Sequence, residues 1–313
     1  MVTCNVKNRH FSYNMLEAFY NILPLFLLIA LGYTLFKVRV ANLEWVRVFN
    51  LFSVNIGFPC LIFYSLYNTS IKWDLVGQLS NLHAVYLPIT LIGAIIFSRK
   101  KTRSASYVAC AIFHNIAFLG IPMINSLEQQ NLTATTAVIS AIYLVFFFTF
   151  GVSFLEIKTS IRNFSATRTI YNCFKNPLLL SVLLGILVKL MDINLPHFAL
   201  EPISLISKAI TPIILISLGI FLGSINLLKI EYKRSILFSI YTLFLAPFIL
   251  LLIARFININ SQISILEAAM PVAFTPFALT ERYKILDQKF IAEVIFVSSL
   301  SCLFTIPLWY SFL

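Results

Sequence analysis

Long uncharged, strongly apolar stretches alternate with short polar clusters along the whole chain. A helix rises 1.5 Å per residue and bilayer hydrocarbon is about 30 Å thick, so about 20 apolar residues suffice to cross it. Stretches near residues 18–36, 48–67, 75–97, 104–127, 133–155, 177–191, 202–228, 235–254, 263–280 and 290–313 approach or reach that length. They predict an all-α integral membrane protein of ten transmembrane helices, numbered here as spans 1 to 10. No small-residue cleavage site follows the first stretch, which is therefore expected to remain a span rather than to be a removed signal.

Helix-breaking residues recur in register along these spans. Pro24 and Gly32 of span 1 are eight residues apart, as are Pro177 and Gly185 of span 6, and the two pairs are offset by 153. Pro59 of span 2 and Pro212 of span 7 share the offset of 153, and Pro122 of span 4 lies 154 before Pro276 of span 9. This spacing predicts two five-helix repeats, 18–157 and 177–312, joined by a cytoplasmic linker at 158–176. Because five is odd, the second copy enters the membrane from the opposite side, an inverted arrangement typical of secondary transporters.

A proline inside a span removes one backbone N–H and opens carbonyls that lipid cannot satisfy. HNIAFLGIP in span 4, with Gly120 and Pro122, and AAMPVAFTPFALT in span 9, with Pro271 and Pro276, are therefore expected to be discontinuous helices meeting near the midplane. Half-helix N-termini there would offer free N–H groups to an anion. The plainer alternative is that these prolines only kink packed helices.

Composition narrows the class. Only 11% of residues are charged, about half the share of a soluble domain. Of the 23 Lys and Arg, 17 lie in loops after odd-numbered spans, around Arg39, Lys100, Arg162, Arg234 and Lys284. This bias predicts that those loops are cytoplasmic and that both termini lie outside a multi-pass protein of the cell (cytoplasmic) membrane. The net charge of +11 is then a topology signal and a headgroup contact rather than a nucleic-acid footprint. Five scattered cysteines without a CxxC pairing suggest neither a disulfide framework nor a metal site. HExxH, GxSxG and a phosphate-cradling glycine loop are absent from the sequence, so no enzyme chemistry, metal or cofactor is expected. No span carries the paired midplane carboxylates of a cation exchanger.

The segments NILPLFLLIALGYTLF, HNIAFLGIPM, NPLLLSVLLGIL, ITPIILISLGIFL and AAMPVAFTPFALTERY resemble those of the auxin efflux carrier family, which includes plant PIN-FORMED carriers and bacterial malonate or malate permeases. The resemblance runs from about residue 18 to residue 312. It implies a fold similar to bile-acid symporters and sodium/proton antiporters, with helices 4 and 9 crossing at their breaks. It also implies a scaffold of spans 1, 2, 6 and 7 facing a mobile core of the other six. The long loop of the plant carriers between spans 5 and 6 is short here.

Asn115 matches the asparagine of that family's crossover segment. Its amide can donate to a substrate carboxylate; the alternative is a helix-to-helix hydrogen bond. His114 beside it is expected to be structural, with proton coupling as the alternative. Asn55 and Ser217 are candidates for the scaffold wall of a cavity, unless each satisfies a local carbonyl. Gly120, Pro122, Pro271, Thr275 and Pro276 complete the candidate site. Lys208, Glu267 and Glu293 are expected near the interfaces, where a long stem lets a charge reach the headgroups.

The reading that follows is a secondary carrier of a small organic anion, a carboxylate such as malonate, malate or an auxin-like acid, working by alternating access. Its partners are the anion and the bilayer, with a homodimer left open. Rivals are a sodium-coupled organic-anion symporter and a non-transporting membrane receptor or scaffold.

Overall fold

The computed structural model describes residues 2–68, 73–98, 104–128, 136, 139, 154–155, 177–225, 232–259, 261–280 and 283–313. Span 5, apart from four residues, and the linker 158–176 lie outside the described residues. The helices are α1 (Val2–Lys37), α2 (Leu43–Asn68), α3 (Trp73–Phe97), α4 (Ser104–Ile112), α5 (Ile121–Glu128) and α6 (Pro177–Leu190), followed by α7 (His197–Ser224), α8 (Tyr232–Phe256), α9 (Gln262–Ala268), α10 (Thr275–Leu279) and α11 (Gln288–Phe312). No strand occurs among the described residues. Six helices, α1, α2, α3, α7, α8 and α11, are long and apolar enough to cross a membrane. The difference from ten has a local cause among the described residues: spans 4 and 9 are each split in two, and α6 has only 14 residues.

Proline shapes these helices in two ways. Three π turns, Ser53–Gly57, Ile116–Gly120 and Tyr241–Leu245, each end two residues before a proline: Pro59, Pro122 and Pro247. In each case the residue before the proline donates five residues back, Phe58 to Ser53, Ile121 to Ile116 and Ala246 to Tyr241. Proline lacks an N–H and its ring clashes with the carbonyl four residues earlier, and a widened turn relieves that clash without ending the helix. Pro24 and Pro212, which mark the repeat register in spans 1 and 7, sit inside continuous α1 and α7. The residue type alone does not say which outcome follows.

Two groups of helices pack against each other. In the first, α1 and α7 touch backbone to backbone. A Cβ added at Gly32 would overlap the Ile216 carbonyl oxygen, and one at Gly219 would overlap the Ile29 carbonyl oxygen. Small residues permit this approach where hydrocarbon gives no hydrophobic drive for association. α6 lies on the second half of α2, with Gly185 so close to Leu66 that an added Cβ would sit 2.9 Å from its Cβ. Tyr67 Oη accepts the Leu195 N–H at 3.0 Å, and Lys189 Nζ donates to the Tyr67 carbonyl at 3.2 Å.

The second group holds α3, α4, α8, α9 and α11. Tyr241 Oη donates to the Thr90 carbonyl at 2.6 Å, and Trp309 Nε1 donates to the Leu243 carbonyl at 2.8 Å. At one end Arg234 of α8 pairs with Asp287 at 3.1 Å, donates to Tyr107 Oη at 3.0 Å and lies 3.9 Å from the centre of the Phe290 ring. Asp287 also caps α11 by accepting the Phe290 N–H, while its own N–H donates to Ser106 Oγ. Arg234, one of the residues counted in the basic-loop bias, thus ties α4, α8 and α11 together. Outside both groups Leu27, Leu31, Ile92, Leu184, Leu252 and Phe304 are exposed, an apolar exterior that suits lipid and not water.

Candidate functional site

The two broken spans cross at their breaks. The first break is Phe113–Asn115 between α4 and the π turn, and the second runs through residues 269–274 between α9 and α10. Their extended backbones pair as one antiparallel bridge, His114 with Val272. Asn115 N–H donates to the Pro271 carbonyl and Ala273 N–H to the Phe113 carbonyl, both at 2.7 Å. Ser298 Oγ of α11 accepts the Val272 N–H at 3.2 Å. A break inside a membrane is tolerable only when such groups are satisfied by protein, and here each half repairs the other.

His114 completes that repair. Its Nδ1 lies 3.0 Å from the Met270 carbonyl and its Nε2 lies 3.0 Å from the Ala111 carbonyl. The ring therefore bridges the carbonyl ends of α4 and α9, where the negative poles of two half-helices meet. A neutral ring donates from one nitrogen only, so both bonds form together only when it is protonated.

Pro122 and Pro276 do not lie in the breaks. Pro122 follows the π turn inside the run that leaves the first break, where the widened turn accommodates it, and Pro276 is the second residue of α10, where a missing N–H costs little. The span 4 break falls seven to nine residues before Pro122, set by its pairing with 271–273. Gly120 faces Met270 of the other break, where an added Cβ would come within 3.3 Å of Cγ. Thr275 is half-buried at the start of α10 and Pro276 is buried. α10 has five residues and brings little dipole. The π turn and α5 therefore form the only continuous run of about three turns that starts at the crossing among the described residues.

Asn115 heads that run. Its carbonyl accepts the Leu119 and Gly120 N–H groups, but in this buried residue the side-chain Oδ1 has no hydrogen-bond partner among the described residues. The side chain borders a small cavity between the crossing and the wall formed by α2 and α7, with about 10 Å³ of space for water centres, enough for about one water. Ser217 lines it and donates Oγ to Asn50 Oδ1 at 3.2 Å, and Asn50 lines it too. Phe221 and Phe274 close it, with ring centres 4.6 Å apart, edge to face.

Asn55 is not at this cavity. It is exposed, and its Nδ2 donates to the Leu51 carbonyl at 2.8 Å. Asn50, five residues earlier and before the π turn that holds Asn55, takes the position expected of it. Its signal in the sequence was the same as that of Asn55, an amide within an apolar stretch, and nothing local separates the two. Phe221 and Phe274 gave no signal among 30 phenylalanines.

Glu267 is also misplaced by the sequence reading. It is completely buried in the last turn of α9, one residue from the helix end that opens into the crossing, rather than at an interface. Glu293 is buried as well, accepts a hydrogen bond from Ser235 Oγ at 2.8 Å and lies 3.7 Å from Lys289 Nζ. Lys208 is exposed.

Comparison with known proteins agrees in kind. A family model described as membrane transport protein matches residues 17–310. The uncharacterized transporter YfdV of Escherichia coli is 23% identical over 306 residues, covering 92% of this chain and 95% of that protein. An uncharacterized transporter of Methanocaldococcus jannaschii is 24% identical, with 92% and 96% covered. One from Methanothermobacter thermautotrophicus is 27% identical with the same coverage.

Proposed function

The chain belongs to the membrane transport protein family of the auxin efflux carrier type, and from that premise we propose that it carries a small carboxylate by alternating access around the crossing of spans 4 and 9. The observation that carries this reading is Asn115: a buried amide whose oxygen has no hydrogen-bond partner among the described residues, bordering a cavity between two groups of helices, where its Nδ2–H can donate to a carboxylate and its oxygen can accept from a donor, such as a water, that arrives with it. An unpaired buried polar group costs free energy, so its retention asks for a ligand. The adjacent helix start supplies N–H groups without intrahelical acceptors and a partial positive charge for a carboxylate. Asn50 and Ser217 face Asn115 from the opposite wall. The cavity has room for about one water, too little for an organic anion, so the anion enters when the groups separate.

Packing supports the inverted repeat that such a mechanism uses. Gly32 of span 1 meets span 7, and Gly185, its counterpart in span 6, meets span 2. Exchanging the halves exchanges these contacts. α1, α2, α6 and α7 form the fixed wall, and the crossing moves with α3, α4, α8, α9 and α11.

The test is counterflow in proteoliposomes holding the purified protein, with malonate, malate and an aromatic acetic acid as probes. Exchange of at least one carboxylate is expected; binding without exchange would favour a receptor, and exchange only in a sodium gradient would favour a sodium symporter. Orientation is tested separately in a cysteine-free background. A cysteine at exposed Asn194 should react with an impermeant maleimide from outside, and one at exposed Lys233 only after the cytoplasmic face is opened. Reaction of both from one side would overturn the topology.

A further inference from the structure

Glu267 is a carboxylic acid that the crossing leaves alone. It is completely buried, and neither carboxyl oxygen has a hydrogen-bond partner among the described residues. Its own carbonyl accepts the Met270 N–H at 3.1 Å, and the Met270 carbonyl in turn faces His114 Nδ1, so the residue is two links from the bridge that holds the crossing. Ser264, three residues earlier and on the same helical face, is buried with its hydroxyl unpartnered as well.

The elements packed against α9 are the second half of α8, α11 and the π turn at 116–120. From α8 the charged residue is Arg255, exposed in the last turn. The π turn, IAFLG, has no titratable group. On α11, Lys289 and Glu293 approach each other near its start, Cys302 donates Sγ to the Ser299 carbonyl, and Tyr310 Oη donates to the Leu127 carbonyl. Both nitrogens of His114 face carbonyls. No ion pair to Glu267 exists among the described residues.

An ionised carboxylate buried without a partner is far too costly to persist, and the group neutralises instead. A metal cation would need several oxygen ligands, whereas no group of three His, Cys, Asp or Glu that could hold one occurs among the described residues. A proton needs one oxygen. We infer that Glu267 is a proton-binding site, holding a proton while the crossing is closed, as here, and releasing it when alternating access opens the crossing to water. One O–H bond forms on the carboxylate and breaks again to solvent; no other bond changes. The coupling of that proton to anion movement rests on the carrier reading above, but occupancy of the closed site by a proton does not.

The experiment therefore reads the proton directly. Infrared difference spectra of the full chain at neutral pH should contain a protonated-carboxyl C=O band that disappears in Glu267→Gln and persists in Glu17→Gln, an exposed control. Dicyclohexylcarbodiimide, which attacks protonated carboxyls in apolar surroundings, should modify Glu267 of the unaltered protein by peptide mass mapping, so the result does not depend on a variant folding. Absence of both the band and the adduct would overturn the inference. So would loss of either on replacing choline chloride by sodium chloride at fixed pH, which would mark a metal-cation site. In proteoliposomes with malonate inside and out, Glu267→Gln should keep exchange but lose its acceleration by an imposed pH gradient; retained acceleration would also overturn it. A band and adduct in a protein that exchanges no carboxylate would uphold the proton site and defeat the carrier reading instead.

Discussion

Asn115→Ala is expected to weaken carboxylate binding by about 1.5–3 kcal/mol, roughly ten- to a hundredfold in affinity, while leaving the folded protein as stable as before. The separation follows from how Asn115 is divided between two tasks. Its backbone holds the crossing: the N–H bonds Pro271 and the carbonyl accepts from Leu119 and Gly120. Alanine keeps all of these. The side-chain oxygen has no partner among the described residues, so removing it breaks nothing seen here and relieves a desolvated polar atom. What is lost is the amide Nδ2–H, the donor available to a substrate carboxylate when the site opens. Ser217→Ala should have a smaller effect, because its hydroxyl is already committed to Asn50 at 3.2 Å. The measurements are thermal unfolding of the purified variants beside half-saturation for malonate counterflow. Unchanged half-saturation in Asn115→Ala at normal expression would remove the cavity from the binding step.

Much of this was legible in the sequence because it depends on local quantities. Span length follows from apolar run length, and six of the runs form helices long enough to cross. Prolines near the middle of spans 4 and 9, with Gly120 in span 4, marked them as the broken pair, while Asn115 was marked by the resemblance of HNIAFLGIP to the crossover segment of the auxin efflux carrier family. The location of the break was not legible, because it is fixed by reciprocal pairing between 113–115 and 271–273, groups about 160 residues apart. A π turn was not legible either. Pro59 reads the same whether it breaks a helix or widens one turn of it, yet the extra residue in Ser53–Gly57 shifts the following side chains by about 100° relative to a regular helix. That is one reason face assignments for Asn50 and Asn55 could not be made from spacing. Glu267 failed for a different reason: distance along the sequence from a span end was taken as depth, but α9 has only seven residues, so its whole length lies close to the crossing.

The largest effect on stability is expected at Gly219. A Cβ there would overlap the Ile29 carbonyl oxygen and lie 2.8 Å from both the Ile29 carbonyl carbon and the Tyr33 nitrogen. These are backbone atoms of α1 inside a continuous helix, so they cannot turn aside as the end of a side chain can. The two helices must part along a long shared face, and overpacking typically costs about 1–3 kcal/mol even where side chains can adjust. Gly219→Ala should fall at or above the upper end of that range, and Gly32→Ala, which would meet the Ile216 backbone, should behave alike. The control is Gly77→Ala on α3, where nothing lies within 4 Å of an added Cβ and alanine should gain about 1 kcal/mol of helix propensity. Thermal unfolding of the three variants in one detergent gives the comparison. Gly219→Ala as stable as Gly77→Ala would mean that α1 and α7 do not touch as described. The same substitution reaches the site, because Ser217 and Phe221 flank Gly219 on α7 and line the cavity. Parting α7 from α1 moves that wall relative to Asn115, so counterflow should decline in the fraction that remains folded, and by more than for Gly32→Ala, whose added atom lies on the helix that does not line the cavity.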